Sequence, residues 1–315
     1  MENKTLPETL TSEEYHVLLA NDRVLSNAAV AIAAGHGIKP RKAFRFPKKG
    51  STVFCVNDAI VIKLFAPIHI DSFERERAFL KVMSRFIPDA IPRMLVSGLM
   101  GSWGYVVMNR LPGYPLDEVW SSIKSPERSA LIRELGELTA QMHDVPPGEL
   151  PELMIDWPGF LRTQKTNCRI CQEHLGLSPE WLERIDPFLD QVDALLPPAG
   201  PVILHTELMR QHVFVMEHRG RWKISGIIDF EPAMIGDRDY EFASVGVFVS
   251  CGDSELLKSF FHGYGLPEDE PDRMRVMKML LLHKYCNLPW FMKEVPAGDA
   301  QSMQDLACAW FGAAL

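Results

Sequence analysis

The sequence has little of what marks membrane, secreted or nucleic-acid-binding proteins. No apolar run approaches the ~18 residues that a membrane span requires. The acidic N-terminus shows no basic segment followed by an apolar one, so we expect no signal peptide. Charges of one sign form no block and the net charge is -8, which argues against nucleic-acid binding. We therefore expect a cytoplasmic protein, and its mild acidity would suit a cationic small substrate.

Cysteine is scarce as well, with six residues scattered along 315 positions. Scattered cysteines in a long chain favour reduced thiols over a disulfide framework. Cys168 and Cys171 have the spacing of a zinc-binding pair, and His174 follows them. A second pair of ligands at suitable spacing is missing from the sequence, so we interpret the two cysteines as thiols on a helix.

Hydrophobic residues make up 47% of the chain, enough for one large domain or two lobes. The first third alternates apolar segments with short turns, which predicts an antiparallel sheet with a helix. Beyond Leu111-Pro112-Gly113 the apolar spacing becomes helical. We predict an α+β fold with an N-terminal nucleotide-binding lobe, residues 1–110, and a helical lobe, residues 111–315. In the N-terminal lobe the predicted strands cover residues 42–46, 52–56, 59–65, 94–99 and 105–108, and farther along the chain they cover 202–204, 213–216 and 224–228. The predicted helices start at Thr11 and cover 72–86, 125–143, 178–196, 255–264, 272–290 and 300–311.

A lysine stands inside the apolar segment that ends at Phe65. A buried lysine needs an anion, either a carboxylate or a phosphate. We expect Lys63 to pair with Glu76 on the following helix, with Glu74 as the alternative partner. A strand lysine paired with a helix glutamate is the arrangement that holds phosphates in ATP-dependent phosphoryl transfer. The other interpretation is an edge strand from which Lys63 reaches solvent.

Two further segments are candidates for nucleotide contacts. The first is a turn between two strands that contains Gly50, Ser51 and Thr52. Its backbone N–H groups and hydroxyls would cover phosphates, although the same kind of turn also occurs in ordinary β-hairpins with no ligand. The second segment is predicted to join the two lobes and contains Met108, Asn109 and Arg110. Its backbone would hydrogen-bond an adenine edge; the alternative is a plain interdomain linker.

The stretch from Pro201 to Tyr240 carries most of the candidate chemistry. Glu207 follows a short apolar strand and is placed to accept a proton from an acceptor hydroxyl. Arg210 would add positive charge near the transferred phosphoryl group. His212 is placed toward the metal and the phosphates.

Acidic residues follow the next apolar strand. A carboxylate at a strand end is a natural Mg²⁺ ligand, so we assign the metal to Asp229, with help from Glu231. Asp237 is expected to brace the loop by accepting backbone N–H bonds.

These motifs resemble the aminoglycoside phosphotransferase family of kinase-like enzymes. That family's loop reads His-Gly-Asp-Leu-His-x-x-Asn, followed by Ile-Asp-Trp or Ile-Asp-Phe and then Gly-Asp. The resemblance covers most of the chain from Phe44 onward, and within the family the motifs look similar to those of hygromycin B phosphotransferase. The resemblance implies a two-lobed protein-kinase-like fold with ATP or GTP and Mg²⁺ as cofactors. The matching positions are His205–Met209, His212, Ile228–Phe230 and Gly236-Asp237.

Two positions depart from the family pattern. The catalytic aspartate is Glu207 here, whose carboxylate lies one methylene farther out, and an error of about 1 Å can cost about 10²-fold in rate. The metal-binding asparagine is His212 here, although Mg²⁺ prefers oxygen ligands. Three explanations stay open: one metal ion suffices and is bound through Asp229, or His212 contacts a phosphate directly as a donor, or the site binds nucleotide and transfers slowly or not at all.

The resemblance implies ATP- and Mg²⁺-dependent phosphorylation of a hydroxyl on a small molecule, an aminoglycoside such as hygromycin B being the candidate acceptor. Two alternatives stay open. One is a catalytically degenerate kinase-like protein that binds nucleotide or serves as a scaffold. The other transfers AMP in place of phosphate. Neither a nucleic acid nor a membrane is an expected partner.

Overall fold

The computed structural model describes residues 6–46, 52–190, 200–267 and 272–312. The chain forms two compact units. The first holds the described residues up to Pro112 together with the short segment Ile228–Pro232, and the second holds Gly113–Ile227 and the residues from Ala233 onward. The predicted lobes, residues 1–110 and 111–315, and the roles assigned to them stay predictions.

Within the described ranges, no single helix is long and apolar enough to cross a membrane. Ser12–Leu19 and Asp22–Gly35 pass that test only as a pair, and the pair is bent by 85°.

The first unit is built on a five-stranded antiparallel sheet with the order β1-β2-β3-β5-β4. All five strands predicted for this part of the chain form. The first helix begins with a capping box between Thr11 and Glu14, as its sequence indicates, whereas the second helix was not predicted. The elements are α1 (Ser12–Leu19), α2 (Asp22–Gly35), β1 (Ala43–Arg45), β2 (Val53–Val56), β3 (Ile60–Phe65), α3 (Ile70–Met83), β4 (Met94–Met100) and β5 (Trp103–Asn109).

Strand β3 lies in the middle of this sheet, and its side chains alternate between the two faces. Ile62 and Leu64 join an apolar cluster with the buried side of α2. Phe65 lies on the opposite face, 5.8 Å from the Phe73 ring of α3. Lys63 shares that face, because it is two residues from Phe65. The edge-strand interpretation of Lys63 is therefore wrong, since β2 and β5 flank it on both sides.

The second unit is mostly helical and contains two small sheets. Strands β6 (Tyr114–Pro115), β8 (Val213–His218) and β9 (Arg221–Ile227) form one sheet, and β7 (Val202–Leu204) pairs with β10 (Met234–Gly236) in the other. Cys168 and Cys171 lie on one helix, as predicted. The helices are α4 (Leu116–Val119), α5 (Ser125–His143), α6 (Trp157–His174), α7 (Pro179–Leu189), α8 (Arg238–Ser244), α9 (Ser254–Tyr264), α10 (Arg273–Leu281), α11 (Leu288–Glu294) and α12 (Met303–Phe311).

The predicted single helix over residues 272–290 is wrong, because the chain forms α10 and α11 with a turn between them. The Asn287 side chain accepts the N–H of Trp290, and a proline lies in the first turn of α11. Both features start a new helix. The break bears on the site described next, because His283 lies in this turn.

Candidate active site

Lys63 is the centre of a charged cluster in the first unit. Its ammonium lies 2.9 Å from a carboxylate oxygen of Glu76, 2.6 Å from one of Asp229 and 2.9 Å from one of Glu231. A lysine ammonium has three donors, so three carboxylates satisfy it fully. Only 8% of Lys63 and 2% of Glu76 are exposed. The predicted pairing of Lys63 with Glu76 is confirmed. We refer to these four residues as the Lys63 cluster.

The charges in the Lys63 cluster do not cancel. Burial alone would lower the pKa of Lys63, but the three carboxylates outweigh burial and raise that pKa well above its ordinary value. Burial raises the pKa of Glu76 to about 7, against the opposing charge of Lys63. Oxygen atoms of the three acids lie within 4.8 Å of one another. One ammonium among three carboxylates leaves a net negative site of oxygen donors, which is the chemistry that Mg²⁺ prefers.

The alternative partner of Lys63 is engaged elsewhere, since Glu74 forms an ion pair with Arg77 on the same helix. Of the predicted phosphate-covering turn, Gly50 and Ser51 lie outside the described residues. Thr52 is buried and its hydroxyl donates to a backbone carbonyl of β3.

The segment predicted to contact adenine lies at the end of β5. Met108 is buried in that strand. The backbone N–H of Asn109 donates to the carbonyl of Arg93 at 3.2 Å, and that of Arg110 donates to the carbonyl of Ala59 at 2.8 Å. These bonds fix the course of the chain as it leaves the sheet, and a contact with adenine stays a prediction.

In the second unit, the loop after β7 brings the predicted acid and imidazole together. The N–H of Glu207 donates to Nδ1 of His205 at 3.2 Å, and the carbonyl of Glu207 accepts from Nδ1 of His212 at 2.9 Å. A carboxylate oxygen of Glu207 lies within 4.8 Å of a ring nitrogen of His212. A carbonyl can only accept, so Nδ1 of His212 carries the hydrogen and, in the neutral ring, Nε2 bears the lone pair.

Arg210 is engaged within the second unit. Its Nε donates to the carbonyl of Val249 at 2.8 Å, and its guanidinium lies 3.6 Å from the centroid of the Trp120 ring. Burial lowers the pKa of Arg210. These contacts hold the loop against the neighbouring helices, and a role beside the transferred phosphoryl group stays a prediction.

Thr206 adopts a backbone conformation that its residue type disfavours. Its φ is 72°, in the left-handed region. A β-branched residue is rare there, and the conformation costs about 1–2 kcal/mol. The family pattern has glycine at this position, for which that cost is absent. Contacts with the surrounding protein must therefore hold Thr206 in place.

The side chains that hold Thr206 were missed by sequence reasoning. The Glu241 carboxylate accepts the N–H of His205 at 2.6 Å and that of Thr206 at 3.1 Å. On the other side, Ser244 Oγ and His283 Nε2 each lie 2.8 Å from the Thr206 carbonyl and donate to it. A signal was present: Glu241 and Ser244 interrupt an apolar run, and a buried polar side chain needs a partner. We refer to Glu241, Ser244 and His283 as the Thr206 clamp.

Asp237 braces the start of α8. Its carboxylate accepts the N–H of Asp239 at 3.0 Å, so it does accept a backbone N–H bond. It also forms an ion pair with Arg275, which binds Asp239 at 2.6 Å. The amides of His205 and Thr206, in the loop after β7, are held by Glu241.

The phosphotransferase enzyme family matches the chain over residues 47–277. The structure resembles the GDP complex of wild-type aminoglycoside 2'-phosphotransferase-IIIa, with a TM-score of 0.67 and 13% identity, covering 90% of this chain and 98% of that one. It also resembles aminoglycoside phosphotransferase APH(3'')-Id from Streptomyces rimosus in complex with ADP and streptomycin, with a TM-score of 0.61 and 18% identity over 82% and 97% of the two chains.

A third similar structure is macrolide 2'-phosphotransferase MphH from Brachybacterium faecium, with a TM-score of 0.60 and 17% identity over 90% of this chain and 98% of that one. At such identities the likeness is one of fold. The predicted kinase-like α+β fold is confirmed.

Proposed function

Because the chain belongs to the phosphotransferase enzyme family, we propose that it transfers the γ-phosphoryl group of ATP or GTP to a hydroxyl of a small molecule. The observation that carries this proposal is the Lys63 cluster, in which a buried ammonium and three carboxylates meet on one face of the sheet. Such a group supplies both a cation for phosphates and oxygen ligands for a metal, the two needs of phosphoryl transfer.

Within this proposal, Lys63 binds the nucleotide phosphates and Glu76 keeps its ammonium in place. The donor chemistry of the cluster fits Mg²⁺, and Asp229 and Glu231 would hold it. Mg²⁺ supplies neutralisation of charge on the phosphates when it is bound. The other nucleotide contacts are assigned to Gly50, Ser51, Thr52, Met108, Asn109 and Arg110.

We assign Glu207 the role of general base. The acceptor hydroxyl transfers its proton to the Glu207 carboxylate as the acceptor oxygen bonds to the γ-phosphorus. The bond from that phosphorus to the β–γ bridging oxygen breaks, and its electron pair leaves with the nucleoside diphosphate. His212 offers a nitrogen, which Mg²⁺ disfavours, so we assign it the role of holding the Glu207 carbonyl. Arg210 fixes the same loop through Val249 and Trp120.

For the acceptor we propose a hydroxylated molecule of the antibiotic type. Streptomycin occupies one of the similar structures, and another is a macrolide phosphotransferase. Hygromycin B is the aminoglycoside to test first, because the sequence resemblance favours it. A cytoplasmic location accords with this proposal.

The test measures ATP and GTP consumption by the full chain with Mg²⁺ across hygromycin B, streptomycin, a macrolide, choline-like amines and simple sugars. Mass spectrometry of the product separates phosphoryl from AMP transfer. We expect one class of acceptor to stimulate consumption and Glu207→Gln to abolish it. Unchanged turnover in Glu207→Gln, at equal folded fraction, rejects Glu207 as the base.

A second candidate function is a nucleotide-binding protein without transfer. Replacement of the family's loop residues by Thr206, Glu207 and His212 favours it. Mg²⁺-nucleotide binding with no consumption for any acceptor is the result that would select this alternative.

A further inference from the structure

The peptide between Thr206 and Glu207 is held at both of its polar atoms. Its carbonyl oxygen accepts from Ser244 Oγ and from His283 Nε2, each at 2.8 Å. Its N–H donates to Nδ1 of His205 at 3.2 Å. A peptide unit is planar, so fixing its oxygen and its hydrogen fixes the Cα of the next residue. The bonds therefore set the position from which the Glu207 side chain departs.

His283 is built as a donor to this peptide. The N–H of Tyr285 donates to Nδ1 of His283 at 3.2 Å, so Nδ1 bears the lone pair and Nε2 carries the hydrogen. His283 is only 3% exposed, and its ring stacks on that of Tyr240 with centroids 4.5 Å apart. Its orientation is thus fixed by a hydrogen bond on one side and a ring on its face.

Thr206 depends on the hydrogen bonds to its carbonyl more than a glycine at this position would. At a φ of 72° a glycine is unstrained, whereas a threonine is driven toward negative φ by its branched side chain. If the bonds to the carbonyl were lost, Thr206 would relax and carry Glu207 with it. A displacement of about 1 Å at a catalytic group can reduce a rate about 10²-fold.

We propose that His283 is a positioning residue for Glu207, acting through the Thr206 carbonyl. The glycine of the family pattern adopts a positive φ without strain, and here the hydrogen bond from His283 holds Thr206 in that conformation. Ser244 supports it with a bond to the same oxygen. The inference rests on the proposed function, because it takes Glu207 as the base. It predicts an energetic coupling between positions 206 and 283 that a purely structural histidine would not show.

The test compares His283→Leu, which loses the donor, with His283→Gln, which keeps an N–H donor on a side chain of similar reach. Each is made in the full chain with Thr206 and with Thr206→Gly. We expect His283→Leu to lower kcat about 10- to 100-fold with little change in the KM for nucleotide. His283→Gln should retain most of kcat, and Thr206→Gly should restore part of it to His283→Leu. Ser244→Ala is the milder variant if His283→Leu does not fold, and it should lower kcat in the same way.

An unchanged kcat in a folded His283→Leu overturns the inference, as does an equal loss in the Thr206 and Thr206→Gly backgrounds. If the wild-type protein consumes no nucleotide, the proposed function fails separately. Amide hydrogen exchange at Glu207 then decides the inference: faster exchange in His283→Leu, reversed in His283→Gln, supports it, and identical exchange in all variants overturns it.

Discussion

The ring of Phe230 stacks on that of Phe79, with centroids 4.1 Å apart and planes inclined by 11°. Both rings are almost fully buried. Phe79 lies three residues after Glu76 on α3, and Phe230 separates Asp229 from Glu231. The stack therefore fixes the segment that carries two acids of the Lys63 cluster to the helix that carries the third.

Replacing Phe230 by leucine should loosen this attachment while keeping an apolar side chain. Aromatic pairs contribute about 0.5–1.5 kcal/mol beyond the area they bury, so we expect the free energy of unfolding to fall by about 1–2 kcal/mol. Mg²⁺-nucleotide affinity should fall as well, because Asp229 and Glu231 lose their fixed position. Urea denaturation and calorimetric titration with Mg²⁺-ATP measure the two effects. Phe242→Leu, at a buried ring of α8, is the matched control and should reduce stability alone.

Removing the ammonium of Lys63 should destabilise the protein strongly. Lys63→Met leaves three carboxylates around a partly buried site without their cation, and breaking a buried ion pair typically costs about 3–5 kcal/mol. Lys42→Met is the matched control, because Lys42 pairs with Asp58 at the surface and such pairs contribute about 0–1 kcal/mol. Similar urea midpoints for the two variants would contradict the claim that the Lys63 ammonium stabilises the three carboxylates around it.

Magnesium alone should stabilise the protein, because the Lys63 cluster carries excess negative charge. A ligand at 100 times its Kd raises the free energy of unfolding by about 2.7 kcal/mol. We expect Mg²⁺ to raise the Tm relative to EDTA in the wild type, and Asp229→Asn to reduce that rise. Asp58→Asn, which removes a surface acid, should leave it intact. An equal rise in all three proteins would point to non-specific ion binding.

The strands of the first unit were readable from local sequence patterns, and several helices were not. The alternation of apolar residues and turns predicted all five strands of the first unit. The pairing of Lys63 with an acidic residue was predictable because a buried ammonium group requires an anion. The helix α2 was missed because its alanine-rich apolar side was not recognised as a core face. The turn at His283 was missed because the helical spacing of apolar residues continues through it. Asn287 and Pro289 were not recognised as the N-cap and the first-turn proline of a new helix.

What sequence reasoning did not supply was the support of the site. Glu207 and Asp229 belong to recognisable motifs. Glu241, Ser244 and His283 do not, because they meet at Thr206 only through long-range packing. Nothing local to Thr206 shows that its φ is positive, and a β-branched residue argues against it.

The Thr206 clamp also predicts how stability depends on pH. Burial lowers the pKa of His283 to about 4, with Lys284 adding to the shift and the bond to Thr206 and the charge of Glu241 opposing it. An unfolded chain binds the proton below about pH 6.5, whereas the folded protein binds it only below about pH 4. The stability that the neutral ring contributes is therefore present above pH 6.5 and is lost progressively as the pH falls toward 4.

The loss from this one group amounts to about 3 kcal/mol, since each pKa unit corresponds to about 1.4 kcal/mol. His283→Gln cannot bind that proton, so its free energy of unfolding should fall less than that of the wild type between pH 7 and 4. The difference between the two curves isolates His283 from the carboxylates that titrate in the same range. His218→Gln, at the exposed end of β8, removes an imidazole without touching Thr206 and should follow the wild type. Parallel curves for wild type and His283→Gln would show that His283 is not held neutral by its surroundings.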